Sequence, residues 1–222
     1  MATFANAGSY YQKDRTLDQR LRRARLGLAV GVIGIVMVFV SFTSAYIVRQ
    51  GLPTLDPHTN TLVHDWFPLP LPALLFFNTG LLLISSVTMT LARRQVGRFT
   101  PPSRTAAVPN IFVGRDGTIL WLALTVVLGI SFLRGQWIVW RELQASGFYV
   151  ATSPSSSFIY LLTGTHGAHL LGGIFALLAA GATILFRRTA ESRVVVLDVT
   201  AWYWHFMTLL WIYILCLLKF AR

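Results

Sequence analysis

The chain has 222 residues, of which 55% are hydrophobic and only 12% charged, with a mean hydropathy of +0.60. This composition is typical of an integral membrane protein and excludes an ordinary soluble domain or a disordered chain, while a single cysteine excludes a disulfide-stabilised scaffold. The formal net charge of +11 would suggest nucleic-acid binding in a soluble protein, but in a membrane protein its meaning depends on where the charges lie.

Five long apolar segments follow one another along the chain. The first, residues 26–48, has no charged side chain across 23 positions and, at about 1.5 Å per residue, is long enough to cross about 30 Å of hydrocarbon as a helix. We therefore predict an all-α fold: a single membrane domain over residues 1–222, with a tail at 1–25 and transmembrane helices at about 26–48, 71–92, 118–140, 158–186 and 200–218.

The distribution of arginine and lysine predicts the orientation of these helices. Six lie in the N-terminal tail, five between the second and third spans, and three between the fourth and fifth, whereas the opposite segments hold only four. Positive charge marks the cytoplasmic side, so we expect the N-terminus inside the cell and the C-terminus outside. Membrane topology then accounts for the excess charge, and we expect no nucleic-acid partner.

The fourth span contains His166 and His169 on one helical face. They are candidates for a metal or haem ligand pair, but the glycines around them favour close packing with another helix, to which a neutral histidine can donate or accept a hydrogen bond. His205, in the fifth span, is expected about 17 Å nearer the cytoplasmic ends than His169. His58 and His64 fall in an outer loop without a matching cluster of cysteines or carboxylates, so we predict no metal site. Paired carboxylates and the common nucleophile and nucleotide-binding motifs are also absent from the sequence, so we expect no cofactor site and no catalytic residue in this chain.

Charged residues inside the spans are scarce. None of the eight acidic residues falls well inside a predicted span, which argues against an ion-coupled transporter and against a proton path through this chain. Arg134 lies near the outer end of the third span, where it is expected to meet a lipid phosphate or a carboxylate of a partner subunit. Tryptophans at 66, 137, 140, 202 and 204 fall near the predicted interfaces and are interpreted as an aromatic belt.

Two motifs make the chain similar to subunit III of the haem–copper terminal oxidases. The fourth span, from Thr163 to His169, resembles the family's TGxHGxH signature, and the fifth, from Trp202 to Trp211, resembles its WYWHF…W signature. The second span adds the pairs Asn78-Thr79 and Ser85-Ser86, which are similar to the family's NT and SS pattern. Five spans resemble the shorter bacterial members of the family.

The resemblance implies an accessory subunit of a bacterial cytochrome c oxidase in the aerobic electron transport chain of the cytoplasmic membrane. Haem and copper are expected in partner subunits and not in this chain, which would pack on subunit I, contact subunit II and a small subunit IV, and hold phospholipid in a cleft. The residues expected to serve helix packing and the lipid cleft are His166, His169, Tyr203, Trp204, His205, Trp211, Asn78 and Arg134.

The chain departs from the family pattern at three acidic positions. The acid of the first of these helices falls near Gly34 or Ile35, and the other two are replaced by Val139 and Thr208. These losses put assistance to proton uptake in doubt and favour one alternative of the same fold, the accessory membrane protein of nitric oxide reductase. A small membrane transporter and a stand-alone haem-binding enzyme are further alternatives, against which the scarcity of membrane acids argues.

Overall fold

The computed structural model describes residues 2–55, 61–63, 66, 72–97, 111–186 and 189–220; His58 and His64 lie outside these residues. Within them the chain forms five α-helices, each with a stretch long and apolar enough to cross a membrane, which confirms the all-α prediction and its five spans. The helices are α1 (Ala2–Gly51), α2 (Leu74–Gly97), α3 (Ile111–Ala145), α4 (Pro154–Leu185) and α5 (Ala190–Phe220).

A short β-ribbon lies in the connection between α1 and α2. Its strands, β1 (Thr54–Leu55) and β2 (Leu62–Val63), pair antiparallel, with Thr54 opposite Val63 and Leu55 opposite Leu62. The sequence analysis did not predict this ribbon, because two-residue strands carry no readable alternation of polar and apolar residues.

The connection between α3 and α4 is fixed by local capping. Gly147 adopts a φ of 86° just after α3, where a side chain would be strained, and the amide of Phe148 donates to the carbonyl of Leu143. The hydroxyl of Ser153 then accepts from the amide of Ser156, and Pro154 occupies the first turn of α4. These caps end one helix and start the next within a few residues.

Helices α2 to α5 form a four-helix bundle in which each helix packs against two neighbours, in the ring α2–α3–α4–α5–α2. Helix α1 lies outside this ring and, among the described helices, packs against α4 and α5 alone. The centre is filled by aromatic side chains at most 1% exposed, among them Trp204, Trp211 and Phe132. Trp204 was predicted in an aromatic belt; that interpretation was wrong, because this face of α5 points into the bundle.

Helix α5 begins at Ala190, well before the start predicted at residue 200. The extra turns contain the charged residues Glu191 and Asp198, so a hydropathy window underestimates the length of the helix. With the earlier start, His205 and His169 each lie about 22–24 Å from the end of their helix at the α4–α5 connection. The predicted depth difference between these histidines was therefore wrong.

Candidate functional site

The side chains of the α5 motif make hydrogen bonds to two other helices. The hydroxyl of Tyr203 donates to the main-chain carbonyl of His169 on α4 at 2.9 Å. The indole N–H of Trp204 donates to Ser85 on α2 at 3.0 Å, and that of Trp211 donates to Thr79 on the same helix at 3.0 Å. A helix surrounded by lipid has no hydrophobic force that holds it to its neighbours, so hydrogen bonds and close packing carry the association.

His205 also bonds to α2. Its Nδ1 lies 2.6 Å from the hydroxyl of Ser86 and its Nε2 lies 3.3 Å from the hydroxyl of Thr90. Because Thr90 donates its own hydroxyl hydrogen to the carbonyl of Ser86, Nε2 of His205 donates to Thr90 and Nδ1 accepts from Ser86. These two bonds hold the neutral imidazole of His205 between α5 and α2, away from the histidines of α4.

Replacing His205 by leucine is expected to weaken the α2–α5 contact by about 1 kcal/mol, since two interhelical hydrogen bonds are lost. The check is the midpoint of unfolding of the full chain in mixed detergent micelles. The matched control, His205→Gln, retains a donor and an acceptor and should lose less; equal midpoints for wild type and the leucine variant would contradict the assignment.

The two histidines of α4 have different neighbours. His166 is fully buried and its ring lies 5.1 Å from that of Trp211 and 5.9 Å from that of Phe132. His169 is half-buried, faces Phe39 of α1, and donates from Nδ1 to the carbonyl of Thr165 at 2.8 Å. Neither ring bonds to the other or to His205. Within the described residues, no cluster of three or more His, Cys, Asp or Glu side chains is arranged to hold a metal ion.

The indole of Trp204 is held between two glycines. A Cβ at Gly129 of α3 would lie 2.8 Å from its Cη2 atom, and one at Gly173 of α4 would lie 3.3 Å from its Cε3 atom. Since normal carbon contacts are about 3.5–4.0 Å, these glycines let α3 and α4 approach the ring closely.

Gly129→Ala is therefore expected to destabilise the bundle by about 1–3 kcal/mol, because the buried indole cannot move aside. Gly80→Ala serves as the matched control: a Cβ there meets nothing within 4 Å, and alanine favours a helix by up to about 1 kcal/mol. Thermal unfolding of the two purified variants should place Gly129→Ala below wild type and Gly80→Ala at or above it. The reverse order would contradict the packing described for Trp204.

The remaining predicted residues lie apart from this motif. Asn78 is 1% exposed and sits against Gly135 of α3, where a Cβ would overlap its amide. Arg134 is exposed on α3, and no described residue forms an ion pair with it. Of the positions at which the resemblance predicts a lost acid, Val139 is 1% exposed and Thr208 donates to the carbonyl of Trp204, while a side chain at Gly34 would meet nothing within 4 Å.

An ion-pair cluster formed by Arg25, Arg93 and Asp198 was not predicted from the sequence. The carboxylate of Asp198, which is 4% exposed, accepts from Nε of Arg25 on α1 at 2.8 Å and lies 2.5 Å from Arg93 of α2. One buried acid therefore joins α5 to both helices. One signal was available: Asp198 lies alone at the predicted start of the fifth span, on the same side of the membrane as two basic segments. The sequence does not show which arginines contact it.

Comparisons with known proteins agree with the motifs. The sequence profile of the family described as cytochrome c oxidase subunit III matches residues 8–221. The chain is 28% identical over 191 residues to cytochrome c oxidase subunit 3 of Branchiostoma lanceolatum, covering 86% of this chain and 66% of that protein. It is 31% identical over 122 residues to the probable cytochrome c oxidase subunit 3 of Mycobacterium bovis, covering 51% of this chain and 58% of that protein.

A third relative, the probable cytochrome c oxidase subunit 3 of Mycobacterium leprae, is 29% identical over 153 residues, with 59% of this chain and 76% of that protein covered. The chain spans less than two thirds of the length of the Branchiostoma and Mycobacterium bovis proteins. The match to the family profile extends over nearly the whole chain and includes all five helices, α1 to α5. This multi-pass membrane chain therefore belongs to the cytochrome c oxidase subunit III family.

Proposed function

We propose that this chain is the accessory subunit III of a bacterial haem–copper terminal oxidase, a complex that reduces oxygen in the aerobic electron transport chain. In this proposal it binds no redox cofactor, and the haem and copper reside in subunit I and subunit II. The observation that carries the proposal is the use of the motif side chains: Tyr203, Trp204, His205 and Trp211 all bond to neighbouring helices. Side chains that hold the helices of this chain together are consistent with a structural subunit that stabilises subunit I.

The proposed orientation places the N-terminus in the cytoplasm and the C-terminus outside, in the bacterial cytoplasmic membrane. Arg25 and Arg93 lie together at one end of the bundle, which is the end that the distribution of positive charge assigns to the cytoplasm. Arg134 belongs to the opposite half of α3, on a face with exposed Val127, Ile130 and Trp137. We propose that this face meets subunit I, with a partner carboxylate or a lipid phosphate opposite Arg134.

We also propose that the chain binds phospholipid. A groove of about 680 Å³ lies between the ends of α1 and α4 that the proposal assigns to the outer leaflet. Its walls combine apolar side chains such as Val48 and Phe158 with the more polar residues Arg49, Thr152 and Ser157. A smaller groove of about 330 Å³ lies between α1 and α5 beside Tyr213. Apolar walls with a cation at one end match the chemistry of an acyl chain and its headgroup.

The test is a reduced-minus-oxidised optical spectrum of the complex that co-purifies with the tagged chain from its native membrane in mild detergent. An a- or o-type haem signal that shifts with carbon monoxide is expected. A b-type signal with nitric oxide reduction would instead support the nitric oxide reductase alternative, which the lost acids at Val139 and Thr208 favour. A stable preparation without haem would overturn the proposal and call for a transport assay on the chain reconstituted alone.

A further inference from the structure

Three buried polar side chains in the four-helix bundle have no hydrogen-bond partner among the described residues. They are Asn78 of α2, Gln136 of α3 and His166 of α4, and they are 1%, 4% and 0% exposed. Both polar atoms of each side chain are unpartnered: the oxygen and nitrogen of the two amides, and both ring nitrogens of the imidazole. In the described part of the chain, the only other buried side-chain atom of this kind is Oε1 of Gln95.

Asn78, Gln136 and His166 lie at one level of the bundle. Asn78 touches Gly135, which precedes Gln136 in the chain, so Asn78 and Gln136 lie at the same height along the contact between α2 and α3. His166 packs against Trp211, and the indole of Trp211 bonds to Thr79, the neighbour of Asn78. Phe132, one helical turn before Gln136, also contacts the His166 ring. All four helices of the ring therefore contribute to this level.

Leaving these groups unpaired would be costly. A buried donor or acceptor without a partner costs about 1–3 kcal/mol, so six such atoms would together cost about as much as the whole net stability of a typical domain, about 5–15 kcal/mol. The three side chains supply both donors and acceptors and no formal charge, which matches a neutral ligand that donates and accepts. A metal ion is a poor match, because two amides and one imidazole provide neither a carboxylate nor a thiolate.

We propose that Asn78, Gln136 and His166 form an internal water-binding site between α2, α3 and α4. Buried waters typically make about three hydrogen bonds to otherwise unsatisfied polar groups. At least two waters are needed here, because one water donates only two hydrogen bonds. Together they donate to the two amide oxygens and to the unprotonated nitrogen of His166, and accept from the amide N–H groups and from the protonated ring nitrogen. The indole of Trp211 closes one side of the site. The proposal concerns this chain alone and does not depend on the identity of the complex.

The first test is a cryo-EM map, at about 2 Å resolution, of the complex purified with the full chain. We expect density peaks within hydrogen-bond distance, about 2.7–3.2 Å, of at least two of the three side chains. A map in which Asn78, Gln136 and His166 bond directly to one another, or in which no peak lies between them, would overturn the proposal.

A second test uses X-ray radiolysis, in which bound water generates hydroxyl radicals next to it. Trp211 and Trp204 are both 0% exposed, but only Trp211 borders the site, so Trp204 is an internal control of the same residue type. We expect Trp211 to be oxidised several-fold faster than Trp204 in the wild-type complex, and the difference to disappear in Asn78→Leu/Gln136→Leu. Equal rates in the wild type would overturn the proposal whether or not the variant folds.

Discussion

Replacing Asp198 by asparagine is expected to cost about 3 kcal/mol of stability and to release α1 from the bundle. The substitution keeps the size of the side chain but removes the charge that faces Arg25 at 2.8 Å and Arg93 at 2.5 Å. Removing one partner of a buried ion pair costs about 3–5 kcal/mol, and the lower end applies because both arginines are partly exposed and regain water. The measurement is the fraction of the chain retained in the purified complex, together with its unfolding midpoint in mixed micelles.

Glu191→Gln provides the matched control on the same helix. Glu191 lies 3.7 Å from Arg20, and both side chains are far more exposed than Asp198, so a pair of this kind contributes at most about 1 kcal/mol. High salt should reduce the small Glu191 effect further and leave most of the Asp198 effect in place. Equal retention of wild type and Asp198→Asn would show that the buried carboxylate does not anchor α1.

Trp204→Ala is expected to destabilise the bundle by about 3 kcal/mol, since it removes the side chain that occupies the space between Gly129 and Gly173. Truncation of a buried aromatic residue costs about 3–5 kcal/mol through lost contacts and the cavity left behind. The hydrogen bond to Ser85 is lost as well. Trp204→Phe retains most of the ring but not the N–H donor, and should cost about 1 kcal/mol by itself.

Trp202 is the control for this prediction, because it lies two residues earlier on α5 and is 52% exposed. Trp202→Ala should change the unfolding midpoint little, in line with other exposed positions, whose substitutions fall within about 0.5 kcal/mol. If the two alanine variants were equally stable, the close fit of Trp204 to the glycines would contribute nothing to stability. Intrinsic fluorescence would show which indole each variant has lost, since the buried Trp204 and the exposed Trp202 emit at different wavelengths.

Most of the architecture was predictable from the sequence. Long apolar windows located all five helices, and the α4 and α5 motifs identified the family that the profile match confirms. The helix ends were less accessible, because a hydropathy window ends where polar residues begin even when the helix continues. The early start of α5 placed Asp198 inside the helix and brought His205 to the depth of His169.

Partners across the bundle were not predictable. His205 shares a helix with Tyr203, yet one bonds to α2 and the other to α4, because successive residues on a helix point about 100° apart. Which neighbour occupies each direction depends on the ring order of the helices, and hydropathy contains no information about it. The contact between Arg25 and Asp198, which lie 173 positions apart, is unpredictable from one sequence for the same reason.

The position of α1 outside the ring has a consequence for biogenesis. A ribosome delivers α1 to the membrane before its packing partners, α4 and α5, are made. At about 5–20 residues per second, the inserted α1 waits on the order of ten seconds or more for Asp198 to emerge and pair with Arg25. During that interval its apolar surface is left to lipid or to the insertion machinery, so the contact between α1 and α5 can form only after α5 has been made.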